Sequence, residues 1–255
     1  MIEDILLPQV CERFKTDERY RMGHLRVINA LPRRRVLGMH TPEMKKTAQE
    51  LWLNKNVDYI KVFEGAVHNE LTYEETVIWG FLINKGKRTL EERLAMLASY
   101  VPVLDNWAVC DSFCANAKWM QKADKEKLWS FICRYFLSNR EFEVRFAVIA
   151  ALCYFLNEEW VERVFEKIDT INFDNIISEY VTEKSKQKKV QAGIVQGTKP
   201  YYVRMAVAWL LATALAKLPD ATRNYIRGSH LPLDVINMYV RKVRESYRTR
   251  EVSPF

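Results

Sequence analysis

The stretch Thr89-Leu-Glu-Glu-Arg-Leu-Ala-Met-Leu-Ala98 carries its own start signal. Thr89 and Glu92 stand in the Thr-x-x-Glu spacing of a capping box, in which each side chain satisfies the other residue's backbone N–H. Leu94, Leu97 and Ala98 then follow at three- and four-residue spacing, the period of an amphipathic helix. The same reading extends outward. Thr41-Pro42-Glu43-Met44 reads as an N-cap, an N1 proline and a helix to about Leu53. Residues 124–137, 141–156, 158–168, 200–217 and 232–247 repeat the helical spacing. Prolines 32, 42, 102, 200, 219 and 232 fall between these runs, where they start or separate helices. Strand-like alternation is hard to find. The pattern predicts an all-α chain of about a dozen helices with short connections.

Composition agrees. Glycine numbers 8 in 255 residues, against an average usage of about 7%. A chain so poor in glycine has few tight turns, which disfavours a many-stranded fold. Hydrophobic residues at 49% and charged residues at 28% give a globular balance and a chain long enough for a sizeable core. Successive helices of this length suggest stacked pairs, with a repeat near the ~40–47 residues of HEAT-type arrays. We therefore expect one domain over 1–255, a curved α-solenoid whose concave face binds the partner.

The net charge is +7, which points to a polyanionic partner such as nucleic acid. Lys184–Lys199 (KSKQKKVQAGIVQGTK) holds five lysines, two glycines and no acid. It reads as a mobile basic loop, either a solvated insertion or an arm in which Lys184, Lys186, Lys188 and Lys189 touch phosphates. No apolar run approaches the ~18 residues that span a bilayer. Cysteines 11, 110, 114, 133 and 153 form no Cys-x-x-Cys, sit mostly in apolar runs, and are odd in number. With no signal peptide recognised, they predict a reduced, cytoplasmic setting.

Familiar catalytic signatures are missing. The sequence holds no phosphate loop, no Gly-x-Gly-x-x-Gly and no Gly-x-Ser-x-Gly elbow. Histidines 24, 40, 68 and 230 are scattered without ligand spacing, so no metal site and no cofactor are expected. What stands out is Leu104-Asp-Asn-Trp-Ala-Val-Cys-Asp111. Trp107 and Asp111 lie four residues apart, which places an aromatic face and a carboxylate on one side of a helix. In apolar surroundings such an acid is either a buried structural acceptor or a working group.

Four segments in order resemble the AlkD-like, HEAT-like-repeat family of DNA alkylation repair glycosylases, spanning about residues 36–248. Val36–Lys46 is similar to the family's early Gly-x-x-x-Pro helix start, and Asp105–Asp111 to its Trp-x-x-x-Asp active-site helix. Val144–Ile149 is similar to its arginine-bearing helix, and Pro200–Trp209 to its late aromatic-pair and Ala-x-x-Trp helix. The resemblance implies that Asp111 is the catalytic carboxylate and that Trp107 and Trp209 are aromatic walls for the deoxyribose. It implies that Arg145 holds a backbone phosphate, with Arg204 a second basic contact and Tyr201 and Tyr202 supporting the late helix. Departures mark a divergent branch. Ala108 stands where the family is often acidic, and Met205 replaces a basic residue, with Arg204 one place earlier. Leu-Leu-Ala-Thr follows Trp209 where better-known members have an arginine.

The implied substrate is duplex DNA carrying alkylated bases, met by a monomer without a base pocket or metal. A purine alkylated at N3 or N7 leaves as a neutral base, so one carboxylate that stabilises the sugar cation and places a water suffices. The residues also admit bland roles. Asp111 can be a satisfied helix acceptor, both tryptophans core, and Arg145 an ion-pair partner of Glu141 one turn earlier. A non-catalytic DNA-binding paralogue and a helical-repeat scaffold for a protein partner remain as alternative functions.

Overall fold

A computed structural model describes residues 2–180 and 200–255. The basic stretch at 184–199, with Lys184, Lys186, Lys188 and Lys189, lies outside the described residues. The described residues form fourteen α-helices, several short 3-10 turns and no strand; one isolated bridge joins Arg140 and Ile177. The chain gathers into two compact units, up to Asp124 and from Lys125.

The first unit comprises α1 (Ile2–Leu6), α2 (Glu12–Thr16), α3 (Glu18–Ile28), α4 (Thr41–Leu53), α5 (Tyr59–Glu64), α6 (Tyr73–Ile83), α7 (Leu90–Tyr100) and α8 (Trp107–Asn116). Its centre is α6, buried along its whole length and packed against α4, α5, α7 and α8. A helix apolar on every side belongs inside. Trp79 stacks on Phe63 at 5.9 Å and meets Tyr100 edge-on at 5.2 Å. Gly80 makes room for this packing, since a methyl there would strike the Tyr100 hydroxyl. That hydroxyl donates to the Thr76 carbonyl at 3.1 Å.

The expected capping box at Thr89 and Glu92 is present, and Thr72 with Glu75 forms a second one at the start of α6. The helix from Thr41 ends at Leu53 as read, but Thr41 belongs to the helix and no side chain caps it. Glu74, fully buried, accepts the backbone N–H groups of Leu37, Gly38 and Met39 at 2.9, 2.8 and 3.3 Å. Gly38 adopts a φ of 95° and lies against the Phe14 ring, a combination that excludes any side chain. The carboxylate thus fixes the loop before α4. Burial pushes its pKa up against those three bonds.

The second unit comprises α9 (Lys125–Phe136), α10 (Glu141–Tyr154), α11 (Val161–Asp169), α12 (Tyr201–Lys217), α13 (Pro219–Gly228) and α14 (Leu233–Glu245). α10 and α12, nearly all apolar, pack on each other, with α9 against α10 and α14 against α12. The amphipathic helices α11, α13 and α14 bury one stripe each, and Pro219 opens α13. Ile177 donates to the Asn139 carbonyl at 2.7 Å and accepts from Glu141 N at 3.3 Å, which lays residues 176–178 along the start of α10.

Candidate active site

The segment Asp105–Asp111 forms the start of α8, and long-range bonds fix that start. Asn106 is the N-cap: its side-chain oxygen accepts the Ala108 N–H at 2.8 Å. Its amide nitrogen donates to the carbonyls of Ile28 at 2.9 Å and Asn29 at 3.3 Å. Trp107 adds a third tie, its indole N–H donating to the Ile28 carbonyl at 3.0 Å. Asp105 is buried, and its Oδ2 takes the Arg34 guanidinium at 2.8 and 2.9 Å and Arg33 at 3.0 Å. Arg34, equally buried, also donates to the carbonyls of His68 and Leu71. The segment's buried structural acceptor is therefore Asp105, which the sequence reading did not single out.

Burial along α8 separates its two faces. Val109, Cys110, Phe113 and Cys114 turn inward. Trp107, Ala108, Asp111 and Ser112 lie on the other face and are half-buried. Trp107 and Asp111 are thus one turn apart on a face that solvent reaches, next to a helix start held on three sides.

In the second unit the predicted residues divide. Glu141, in the first turn of α10, is buried and accepts the N–H groups of Tyr202 at 2.6 Å and Val203 at 3.3 Å. The Ser178 hydroxyl donates to its other oxygen. Burial raises the Glu141 pKa; the Ser178, Tyr202 and Val203 bonds and the charge of Arg145 act against that rise. Arg145, one turn along α10 and also buried, donates to the Tyr202 carbonyl at 2.6 Å and faces the Tyr202 ring. Glu141 and Arg145 together grip the first turn of α12. Tyr202 is buried in an aromatic group with Phe142 and Tyr180, and Tyr201 packs edge-on against it.

Arg204 is buried as well. It pairs with Asp234 of α14 at 2.8 Å and, at 3.6 Å, with the exposed Asp174, and lies over the Phe173 ring. These partners turn both arginines toward the protein interior. Trp209 differs from every other residue of this group: it is 40% exposed. It borders a surface hollow of about 400 Å³ with Thr213, Lys242, Glu245 and Arg248. Glu245 is held below its ordinary pKa by Lys242 and then Arg241, at 2.9 and 2.7 Å.

Among the described residues, no group of three or more His, Cys, Asp or Glu side chains is placed to hold a metal ion. Nor is any of their helices long and apolar enough to cross a membrane. Asp105 and Glu74 escaped the sequence reading, and Glu141 entered it only as an ion-pair partner of Arg145, because their hydrogen-bond partners lie tens of residues away. Two of them had a local trace: Glu74 follows Thr72 beside the Thr72–Glu75 capping box, and Asp105 precedes an asparagine N-cap.

In comparison with protein families, a family model described as DNA alkylation repair enzyme matches residues 24–232. Searches of curated proteins and of solved structures return no match.

Proposed function

The chain belongs to the DNA alkylation repair enzyme family, and on that premise we propose that it is a glycosylase acting on cationic N3- or N7-alkylated purines in duplex DNA. The family makes DNA the substrate class. The reading of glycosidic hydrolysis rests chiefly on one observation: Trp107 and Asp111 share the solvent-reachable face of α8, beside a start anchored by Asp105, Arg34 and Asn106.

The chemistry needs few groups. As the bond between the sugar and an alkylated base lengthens, positive charge moves from the base to the sugar, and the base departs neutral. A carboxylate beside the sugar stabilises that charge, and the same carboxylate orients a water that adds to the sugar carbon and releases its proton. An aromatic face contributes roughly 0.5–2 kcal/mol toward a nearby cation. We assign the carboxylate to Asp111 and an aromatic face to Trp107. Trp209 has the same proposed role from its exposed position on α12. Arg145 becomes a positioning residue, acting through Tyr202 on the start of α12. Arg204 acts likewise through Asp234. Within each unit, buried helices packed beside amphipathic ones support reading them as HEAT-like repeats that offer a basic face to the duplex.

The test is release of 7-methylguanine or 3-methyladenine from methylated duplex DNA. Asp111→Asn is expected to lower release by at least about a hundredfold while DNA binding and melting temperature stay near wild type. Undiminished release by this variant would refute Asp111 as the acid. DNA binding by the wild type without any release would instead identify a non-catalytic DNA-binding paralogue.

A further inference from the structure

Within the second unit, α12 and the end of α14 share the hollow beside Trp209. On α12, Trp209, Ala212, Thr213 and Ala216 fall on one face at three- and four-residue spacing. The three that follow the tryptophan are small, so α12 leaves space next to the indole. The end of α14 and the turn after it supply the rest of the lining, including Lys242 and Arg248 around about 400 Å³. Helix α14 buries Val235, Tyr239 and Val243, which leaves Arg241, Lys242 and Arg244 outside its core stripe. Arg241–Arg250 (RKVRESYRTR) holds five cations and one acid. The chain beyond α14 is tied down, not loose. The buried Thr249 hydroxyl donates to the Val243 carbonyl at 2.9 Å, the Arg250 N–H to the Ser246 carbonyl at 2.9 Å, and the Tyr239 hydroxyl to the Pro254 carbonyl at 2.8 Å. Arg248 is exposed on that held turn. The acid, Glu245, is shared between Lys242 at 2.9 Å and Arg241 at 2.7 Å. Arg241 can keep it alone, and a solvent-exposed pair contributes so little that Lys242 exchanges readily to another anion.

We propose that this hollow is a DNA-backbone site in which Lys242 and Arg248 each hold a phosphate beside the sugar that Trp209 faces. The assignment rests on the reading of DNA as the substrate. The family match ends at residue 232, so both phosphate contacts come from chain beyond the region that the family model covers. They also take up the task for which Arg145 and Arg204, both buried and bonded inward, are badly placed. A backbone phosphate offers charged oxygens that accept from an ammonium or a guanidinium, and such charge-assisted bonds are the strong ones. The indole supplies an apolar face between them. None of these groups reads a base edge, so the site holds the strand without selecting sequence.

The experiment is fluorescence anisotropy of a labelled, unmethylated DNA duplex with the full chain, from about 50 to 200 mM KCl. Each phosphate contact contributes about 0.9 to the slope of log affinity against log salt. The double variant Lys242→Gln with Arg248→Gln should therefore flatten the slope by about 1.8 and weaken binding alike for unrelated duplex sequences. The double variant Lys242→Arg with Arg248→Lys keeps both charges and should keep the wild-type slope. Melting temperatures of the three proteins should agree. An unchanged slope in the neutral variant would overturn the assignment, as would equal flattening in the charge-keeping one. Base release from methylated duplex, measured on the same proteins, separates this site from the glycosylase reading. An unchanged slope with normal release removes this site alone. A flattened slope with no release by the wild type removes the glycosylase reading and leaves the site standing. A wild type that fails to bind the duplex overturns both.

Discussion

The starts of α8 and α12 meet the same requirement by different means. Each helix carries a candidate tryptophan, and each start is fixed by a buried acid and a buried arginine. At α8 the acid is the helix's own flanking residue, Asp105, and Arg34 comes from a distant loop to form a direct salt bridge. At α12 both partners sit on α10, and they grip α12 through its backbone: Glu141 takes the N–H groups and Arg145 the Tyr202 carbonyl. A direct ion pair leaves a stranded charge if either member is lost. A carboxylate bonded to backbone N–H groups at a helix N-terminus meets dipoles that favour its charge, and a neutral amide oxygen can replace it. The first arrangement is brittle, and the second is tunable by pH.

The brittle side gives the largest expected effect. Asp105→Ala leaves Arg34 buried without its carboxylate, and breaking a buried pair in this way costs about 3–5 kcal/mol. Urea denaturation should register that loss, and base release should fall with it as the α8 start loosens. A loss below about 1 kcal/mol would mean that the bonds of Arg34 to His68 and Leu71 satisfy it alone, and the contrast with α12 would collapse.

Glu141→Gln probes the tunable side and should cost less, because the amide oxygen can still accept from Tyr202 and Val203. Burial raises the folded-state pKa of Glu141 above its unfolded value. The folded chain therefore holds that proton more tightly than the unfolded chain. The resulting stabilisation is fully present below the ordinary glutamate value, roughly pH 4.3, and is lost as pH rises through the raised folded value. Wild type should thus lose stability relative to Glu141→Gln as pH increases from about 4 toward neutrality. Denaturation curves of both proteins across that range check it. A pH-independent difference would mean that Arg145 and the three hydrogen bonds offset burial completely.

The same contrast explains what could be read from the chain. The helices of 89–98, 141–156 and 200–217 were legible because periodicity and caps are local signals, and their ends moved by no more than a few residues. The pairing of Trp107 with Asp111 on one face was legible for the same reason. Which acid of that segment is buried was not, because the decision rests with Arg34, 71 residues away. Arg145 shows both cases. Its nearness to Glu141 follows from one helical turn, whereas its bond to Tyr202 crosses 57 residues. The change of unit after Asp124 coincides with the start of α9.

The smallest stability effects should separate the two tryptophans. Trp107→Phe removes the indole N–H bond to Ile28, but that carbonyl keeps the Asn106 amide, so the loss should sit near the lower end of about 0.5–1.5 kcal/mol. Trp209→Phe, at an exposed position, should change stability by less than about 0.5 kcal/mol. That indifference makes Trp209 the cleaner probe of function. Trp209→Leu keeps an apolar side chain and removes the aromatic face. If the face meets the sugar cation, base release should fall by roughly two- to thirtyfold, the equivalent of 0.5–2 kcal/mol, with the melting temperature unmoved. Unchanged release would remove Trp209 from the proposed site and leave its exposure to the hollow beside Lys242 and Arg248 to be explained by some other contact.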